Sequence, residues 1–493
     1  MRKKNGDLSG ETLQSGAMYG GAIYSGAIYS DESPIAAFAT VPGNSALSVI
    51  RCSGKGAVEM AALVFSAPER LKNTQGNTVI HGWITTNGEK IDEALVSVFR
   101  APKSYTGEDS LDISCHGGAV TGKAVMNALK TTGFRDALPG EFTFRAFMNG
   151  KLDLTRSESV MELVAAKTDI SRRHAIMRLS GSLYTEIDEI KKLIVQVLSG
   201  AEIYLDYSED EISANFDTSA SEEIAGRLPN KETALIALER LKKLQTSWQI
   251  ERVYQEGVTV VIAGRPNVGK SSIFNSFLKE DRSIVTEIPG TTRDWIEAWV
   301  NIEGIPVRLV DTAGLRDTYD SVEKIGVERS LKILQEADIV LYLIDGEQGI
   351  TAEDIEFMKR GEKHIFAWNK ADISPVVSLP AEIADNVISI SAKTGEGLND
   401  LYTAIISAIM PESVSESMFG ETVISVGTVR QKRLVDAACS SLEEALSLAE
   451  NEEPLDLIAP LLREAVNALG EITGEISTAD ILEEMFSRFC VGK

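Results

Sequence analysis

Residues Val258 to Ser272 read VTVVIAGRPNVGKSS: a β-branched apolar run, then Gly264, four residues, then Gly269-Lys270-Ser271, with apolar Ile273, Phe274 and Phe277 following at helical spacing. Strand, glycine-rich turn and helix in that order are what a phosphate-binding loop needs. Glycines let the backbone curl so that its N–H groups point inward at phosphate oxygens, and the helix behind them adds unpaired amides and the positive end of its dipole. Asn267, Val268, Gly269, Lys270, Ser271 and Ser272 are the expected cradle, with Lys270 on the β and γ phosphates and Ser271 a ligand of Mg²⁺.

Further motifs follow in the order of a guanine-nucleotide switch. Asp311-Thr312-Ala313-Gly314 ends an apolar run; its carboxylate can hold the Mg²⁺ shell and the Gly314 amide can sense a γ-phosphate. Asn369-Lys370-Ala371-Asp372 ends another, where Asp372 can accept from N1–H and the 2-amino group of guanine. Adenine offers neither donor, so the expected nucleotide is GTP. Ser391-Ala392-Lys393 closes the base pocket, and Thr292 in Gly290-Thr291-Thr292-Arg293-Asp294 can ligate Mg²⁺ when the γ-phosphate is present. After Gly314 stands Leu315, where Ras-like proteins place the glutamine that orients the attacking water. Leucine cannot hydrogen-bond water, so hydrolysis needs another device. A carboxylate among Asp317, Asp320 and Glu323 is one candidate, and an extra cation in place of an arginine finger is another.

These motifs need a frame. A chain of 493 residues is too long for one core, and roughly two to four domains are expected. Strand-like runs at Val258–Ala263, Val307–Val310, Ile339–Ile344, Ile365–Trp368 and Val387–Ile390 alternate with helical ones, as in a doubly wound parallel sheet. Before them, from a capping box at Thr155–Glu158, apolar residues at three- and four-residue steps from Val160 to Ala201 predict a long helix or helix pair. A second helical run, Leu235 to Trp248, leads into Val258, and similar helices return in Leu434–Leu448, Leu457–Leu469 and Ile481–Phe489. The nucleotide domain, 254–411, is thus expected as an insert in one helical domain made of 152–253 and 412–493. Residues 34–151 carry short alternating runs with two helical stretches, an α+β domain whose loops Ser104–Asp109 and Cys115–Gly118 read as turns at strand ends. Residues 1–33 contain the near-repeat SGAMY-GGAIY-SGAIY and are expected to be a flexible low-complexity tail.

A balance of 49 Lys+Arg against 73 Asp+Glu, net −24, argues against a non-specific nucleic-acid or membrane coat while leaving room for a local basic patch. No apolar run approaches the roughly 20 residues that span a bilayer, so a cytoplasmic protein is expected. Cys52, Cys115, Cys439 and Cys490 are too scattered for a disulfide framework.

The motif GRPNVGKS with GTTRD and DTAGLR, the inserted arrangement, and the terminal Cys490-Val491-Gly492-Lys493 together resemble the bacterial tRNA modification GTPases of the MnmE (TrmE) family. The resemblance covers residues 34–493. It implies a homodimer of three-domain chains: an N-terminal domain similar to tetrahydrofolate-binding one-carbon enzymes, a helical domain and a Ras-like G domain. With a partner of the MnmG (GidA) type, an FAD/NADH protein, the family installs a carboxymethylaminomethyl or aminomethyl group at C5 of the wobble uridine of certain tRNAs. The one-carbon unit would come from 5-formyl- or methylene-tetrahydrofolate. GTP hydrolysis in the family is activated by K⁺ through contact between G domains. Carried over, Asn267 is the K⁺ ligand of the loop, joined by Thr286, Ile288 and Thr291, with Thr286 and Thr291 also part of the GTP site; Ser271 and Thr292 hold Mg²⁺. Glu323, in Val322-Glu323-Lys324-Ile325-Gly326, matches the catalytic glutamate, and Cys490 the terminal cysteine. Arg51, Glu108, Lys151 and Lys493 would form the folate site. Without the resemblance, Cys490 reads as a packed thiol after Phe489. Where the family has a Gly-rich, arginine-bearing segment before Arg51, this chain reads Pro42-Gly43-Asn44-Ser45-Ala46-Leu47. A ribosome-assembly GTPase would need a basic RNA-binding domain, whereas this chain ends in acidic helices; a GTP-regulated folate enzyme is the other rival.

Overall fold

A computed structural model describes residues 29, 31–41, 43–206, 228–279, 283–284, 296–311, 334, 337–358, 364–375, 387–409 and 424–492. They form two compact units: the described residues up to Ser157 together with those from Gly470 on, and Glu158–Leu469.

In the first unit six strands, β1 (Ile35–Phe38), β2 (Leu47–Ser53), β3 (Thr78–Thr86), β4 (Glu89–Phe99), β5 (Ser110–His116) and β6 (Arg135–Asp136), lie in the order β3-β4-β5-β2-β1-β6. The period of two along β2 sends Ile50 and Cys52 into a core with Leu111, Ile113 and Cys115 of β5. Helices α1 (Ala57–Ala62) and α3 (Ala119–Thr131) cover that core. Arg51 points to the other face, where it pairs with its cross-strand partner Asp112 at 3.0 Å. Both expected helical stretches are present; α2 (Pro68–Lys72) and α4 (Glu141–Met148) are additional. The last residues of the stretch assigned to the tail are attached to this unit: the Tyr29 ring is buried, and Asp31 and Ser33 lend their carbonyls to Arg135 and Arg145.

Helix α5 (Leu154–Ala165) starts earlier than its expected capping box. Asp153, directly before the helix, accepts from Arg156 N at 3.0 Å and from the Thr155 hydroxyl. Thr155 already lies inside the helix, so it cannot cap, and Glu158 instead holds Arg430 at 2.8 Å. The run expected as one helix or a pair is three: α5, α6 (Asp169–Leu179) and α7 (Ser182–Asp206). The breaks fall at Thr168, which caps α6 by accepting from Ser171 N, and at Gly181 with φ 99°.

In the second unit, α7, α8 (Lys231–Glu256) and, much later in the chain, α12 (Val429–Glu450) and α13 (Leu455–Thr473) bury Ile187, Ile190, Leu241, Leu442 and Leu462. Lys242 reaches Glu443 at 2.7 Å and Gln245 reaches Asp436 at 2.8 Å, so helices on either side of the nucleotide segment belong to one body. Between them the chain builds a seven-stranded sheet, ordered β13-β12-β11-β7-β10-β9-β8, from β7 (Val258–Gly264), β8 (Ser283–Ile284), β9 (Ile296–Ile302), β10 (Ile305–Asp311), β11 (Ile339–Asp345), β12 (His364–Asn369) and β13 (Val387–Ser389). Helices α9 (Lys270–Lys279), α10 (Ala352–Met358) and α11 (Leu398–Ile409) accompany it. Cores on both faces explain why the central strands read as unbroken apolar runs. The sheet departs from the all-parallel expectation at one edge, where β9 runs antiparallel to β10 and β8 to β9. Glu303-Gly304, both at positive φ (50° and 88°), make the two-residue hairpin turn that permits this.

The exit from α8 and the return at Ser425 share a buried charge cluster. Arg178 of α6 donates to Glu162 and Glu251 at 2.7 Å each and to Ser425 Oγ at 2.8 Å; Glu251 also takes His174 at 2.7 Å. Burial works against the charge of Glu251, but His174 and Arg178 outweigh it and hold its carboxyl down at about 2. Among the described residues Glu162 Oε1 finds no hydrogen-bond partner, and burial, only partly offset by Arg178, raises the carboxyl from the ordinary 4.5 to about 7. The folded chain therefore binds this proton more tightly than the unfolded one. The stability Glu162 contributes is full below about pH 4.5 and is lost as pH rises toward 7, on the order of 3 kcal/mol in all. Glu162→Gln should accordingly flatten the fall of the thermal midpoint between pH 5 and pH 8, measured by calorimetry, and equal slopes for the two proteins would contradict this assignment.

Candidate functional site

The loop after β7 has the backbone its sequence requires. Gly264 (φ 140°), Asn267 (φ 65°) and Gly269 (φ 100°) occupy conformations that side chains rarely adopt. A Cβ on Gly264 would stand 2.6 Å from the Leu343 carbonyl of β11, and one on Gly269 would collide with the Asn369 amide. Lys270 is buried at the start of α9, its ammonium over the loop carbonyls of Gly264 (3.0 Å) and Arg265 (2.8 Å). Ser271 Oγ donates to Asp311 Oδ2 at 3.0 Å. Ser271, expected as a ligand of Mg²⁺, and Asp311, expected to hold its shell, thus meet where α9 begins and β10 ends, and a hydroxyl beside a carboxylate is an oxygen set that a hard cation takes. Among the described residues no group of three or more His, Cys, Asp and Glu could hold a metal ion.

The base-recognition motif is joined to this loop by one side chain. Asn369, at the end of β12 and 2% exposed, donates through Nδ2 to Val268 O at 2.7 Å and accepts through Oδ1 from Ala392 N at 3.0 Å. Asp372 is exposed, and one of its oxygens takes the Ser391 hydroxyl at 2.8 Å; Ser391 Oγ also accepts from Thr394 N at 3.2 Å. The carboxylate is thereby aimed while its second oxygen stays available to a base. Lys370, held at φ 68°, pairs with Asp345 at 2.9 Å and Glu347 at 2.8 Å. Lys393, Asn267 and Ser272 are exposed. The loop, Asp311, the Asn369–Asp372 turn and Ser391-Ala392 are therefore brought to one end of the sheet. Thr286, Ile288, Thr291, Thr292, Thr312, Ala313, Gly314 and Glu323 lie outside the described residues.

Sequence reasoning missed two supports. Asp345, at the end of β11 and fully buried, takes the Lys370 ammonium and the Glu347 N–H; burial opposes its charge, yet these donors hold its carboxyl below the usual range. Arg265, a variable position of the loop motif, donates to the buried Asp354 at 3.2 Å and to Gly349 O at 3.0 Å, tying the loop to the segment after β11. An aspartate ending an apolar strand ahead of Asn369-Lys370 was the one available signal.

In the first unit, three of the four residues expected for folate converge. Glu108 accepts from Ser53 Oγ, two positions beyond Arg51 on β2, at 2.8 Å and from Arg145 at 3.2 Å. The Arg51 guanidinium lies 5.9 Å from the Tyr105 ring centre, and the Lys151 ammonium donates to Pro102 O at 3.1 Å. These contacts place Arg51, the 102–108 loop and Lys151 side by side. Lys493 lies outside the described residues. Cys490 is the exposed thiol among the four cysteines; its carbonyl accepts from Gly140 N at 3.4 Å, and Gly492 packs against the Phe38 carbonyl so closely that no Cβ would fit. Among the described residues no helix is long and apolar enough to cross a membrane.

Two family models match the chain: the GTP-binding protein TrmE N-terminus over residues 34–151 and the MnmE helical domain over residues 154–490. The tRNA modification GTPase MnmE of Treponema denticola is 43% identical over 475 residues, covering 93% of this chain and 98% of its own length. The same protein from Borreliella burgdorferi is 40% identical over 475 residues (94% and 98%), and that of Carboxydothermus hydrogenoformans 39% over 477 (94% and 100%). Matched over more than nine-tenths of its length at this level, the chain belongs to the MnmE family of tRNA modification GTPases.

Proposed function

We propose that this protein hydrolyses GTP in a K⁺-activated cycle that drives modification of the wobble uridine of tRNA, with a folate-borne one-carbon unit as carbon source. The observation that carries the reading is the joined site around Asn369, in which a phosphate loop and a guanine-reading carboxylate are held by one buried amide. The folate part rests on the convergence of Arg51, Glu108 and Lys151, with Lys493 as the fourth contact and Cys490 acting in the modification chemistry. An FAD protein of the MnmG type and a second copy of this chain are the proposed partners. The proposed division is 34–151 for folate, 254–411 for GTP, and 152–253 with 412–493 as the helical link.

Within the GTP site, Lys270 and the loop amides neutralise phosphate charge, and Ser271, Asp311 and Thr292 hold Mg²⁺, which supplies further positive charge at the transferring phosphoryl group. Asn267 is exposed at the loop, where its side-chain oxygen can bind K⁺ together with Thr286, Ile288 and Thr291. Glu323 orients the attacking water in place of the glutamine that Leu315 replaces.

Three outcomes follow. Asp372→Asn turns an acceptor into a donor opposite N1–H and the 2-amino group, so GTP affinity should fall about 100-fold or more while xanthosine triphosphate, with its 2-oxo group, is gained; nucleotide titration reads both. GTP turnover should be several-fold faster in KCl than in NaCl, and Asn267→Ala should abolish the difference; equal wild-type rates in the two salts would remove K⁺ from the mechanism. Mass spectrometry of tRNA nucleosides from cells whose only copy carries Glu323→Ala or Cys490→Ser should show loss of the wobble modification, whereas normal modification in a deletion strain would overturn the tRNA reading.

A further inference from the structure

Tyr29 has no part in the function proposed above, and it precedes residue 34, where the family match begins. It closes the third copy of the near-repeat SGAMY-GGAIY-SGAIY, whose earlier tyrosines, Tyr19 and Tyr24, lie outside the described residues. Its ring stacks on Phe144 of α4 with centroids 4.7 Å apart and meets Phe486 of the C-terminal helix α14 (Ala479–Ser487) edge-on at 6.4 Å. Phe144 and Phe486 are themselves in edge contact at 5.4 Å, so three rings from separate segments of the chain make one cluster. The phenol donates to Pro139 O at 2.8 Å, and burial pushes its pKa up to about 12, so it remains a donor throughout the working range of pH.

Two arginines hold the chain shortly after this ring. Arg135 Nη2 donates to Asp31 O at 2.7 Å and Arg145 Nη2 to Ser33 O at 2.9 Å, backbone contacts that fix the path of the chain irrespective of its side chains. Arg145 is also the partner of Glu108, at 3.2 Å. On the far side, Phe486 touches Phe489 with centroids 5.2 Å apart, and Cys490 follows directly. The first turn of α4 approaches that segment so closely that a Cβ on Gly140 would lie 2.6 Å from the Phe486 carbonyl.

We propose that Tyr29 is a positioning residue: an aromatic wedge supplied by the N-terminal extension that seats α14 on α4 and thereby fixes Cys490 relative to Glu108. A tyrosine suits the task because it buries a large rigid surface with only two side-chain torsions to order and carries a polar tip that selects one depth of insertion. The proposal rests on the reading that Cys490 acts in the modification, and its test separates the two.

Hydrogen exchange followed by mass spectrometry on the full chain should show amides of residues 479–490 exchanging at least tenfold faster in Tyr29→Ala than in wild type, with α12 unchanged in the same molecule. Tyr29→Phe keeps the ring contacts and should stay near wild type. In cells, Tyr29→Ala should lower wobble-uridine modification several-fold without altering GTP turnover of the purified protein, and Tyr29→Phe should restore it. Unchanged exchange at 479–490 would overturn the wedge, and faster exchange with full modification would overturn its positioning role. Normal modification by Cys490→Ser would instead remove the underlying reading of the thiol, and the exchange comparison would still decide whether Tyr29 seats α14.

Discussion

The nucleotide site depends on the side-chain amide of Asn369. Buried at the end of β12, it is the donor to the Val268 carbonyl in the loop after β7 and the acceptor for the Ala392 N–H in the Ser391-Ala392-Lys393 turn. A buried amide with both ends satisfied is rigid, and losing either partner would leave a polar group unpaired in the interior. Gly269 shares in this constraint: its φ of 100° suits a glycine, and the Asn369 amide occupies the space a Cβ would need. The loop after β7 and the Asn369–Asp372 turn are therefore one object. Asp345 with Lys370, and Arg265 with Asp354, brace it from the neighbouring strand β11 and the segment beyond it.

The helical part solves a different problem, that of letting the chain leave for the seven-stranded sheet and return. Departure and return meet at Arg178. Glu251, on the last turns of α8, and Ser425, where the chain returns, are bonded to the same guanidinium and to each other at 2.9 Å. Fully buried ions of this kind are costly unless each is paired, and here the cation is shared among more carboxylate than it can neutralise. Glu251 stays ionised because His174 and Arg178 outweigh its burial, whereas burial, only partly offset by Arg178, raises the Glu162 carboxyl.

Much of this was legible in the residue order. Central strands of the nucleotide sheet fall within a residue or two of the apolar runs because strands buried on both faces need no alternation. The antiparallel edge was missed since β9, reading Ile-Glu-Ala-Trp-Val-Asn-Ile, has no place in a strict alternation of strand and helix; the Glu303-Gly304 turn that makes it was the only local sign. Thr155–Glu158 satisfied a capping pattern, but Asp153 stood nearer the first helical residue and took the amide. Motif spacing singled out Lys270, Ser271, Asp311, Asn369 and Asp372, because phosphate, cation and base each demand a particular residue type, and the fold brings them to one end of the sheet. It could not find Asp345 or Arg265, whose value lies in partners 25 and 89 residues away. Nor could composition show that Tyr29, in a low-complexity stretch, ends in an aromatic cluster with Phe144 and Phe486, since that cluster exists only after three distant segments meet.

Titrating Asn369→Ala with GDP and with inosine diphosphate, which lacks the 2-amino group, shows whether this amide acts by holding the loop after β7. If Asn369 acts through the loop, both affinities fall by the same factor, at least tenfold, and the preference for guanine survives. A variant that loses guanine preference while binding inosine diphosphate as tightly as wild type would contradict the account.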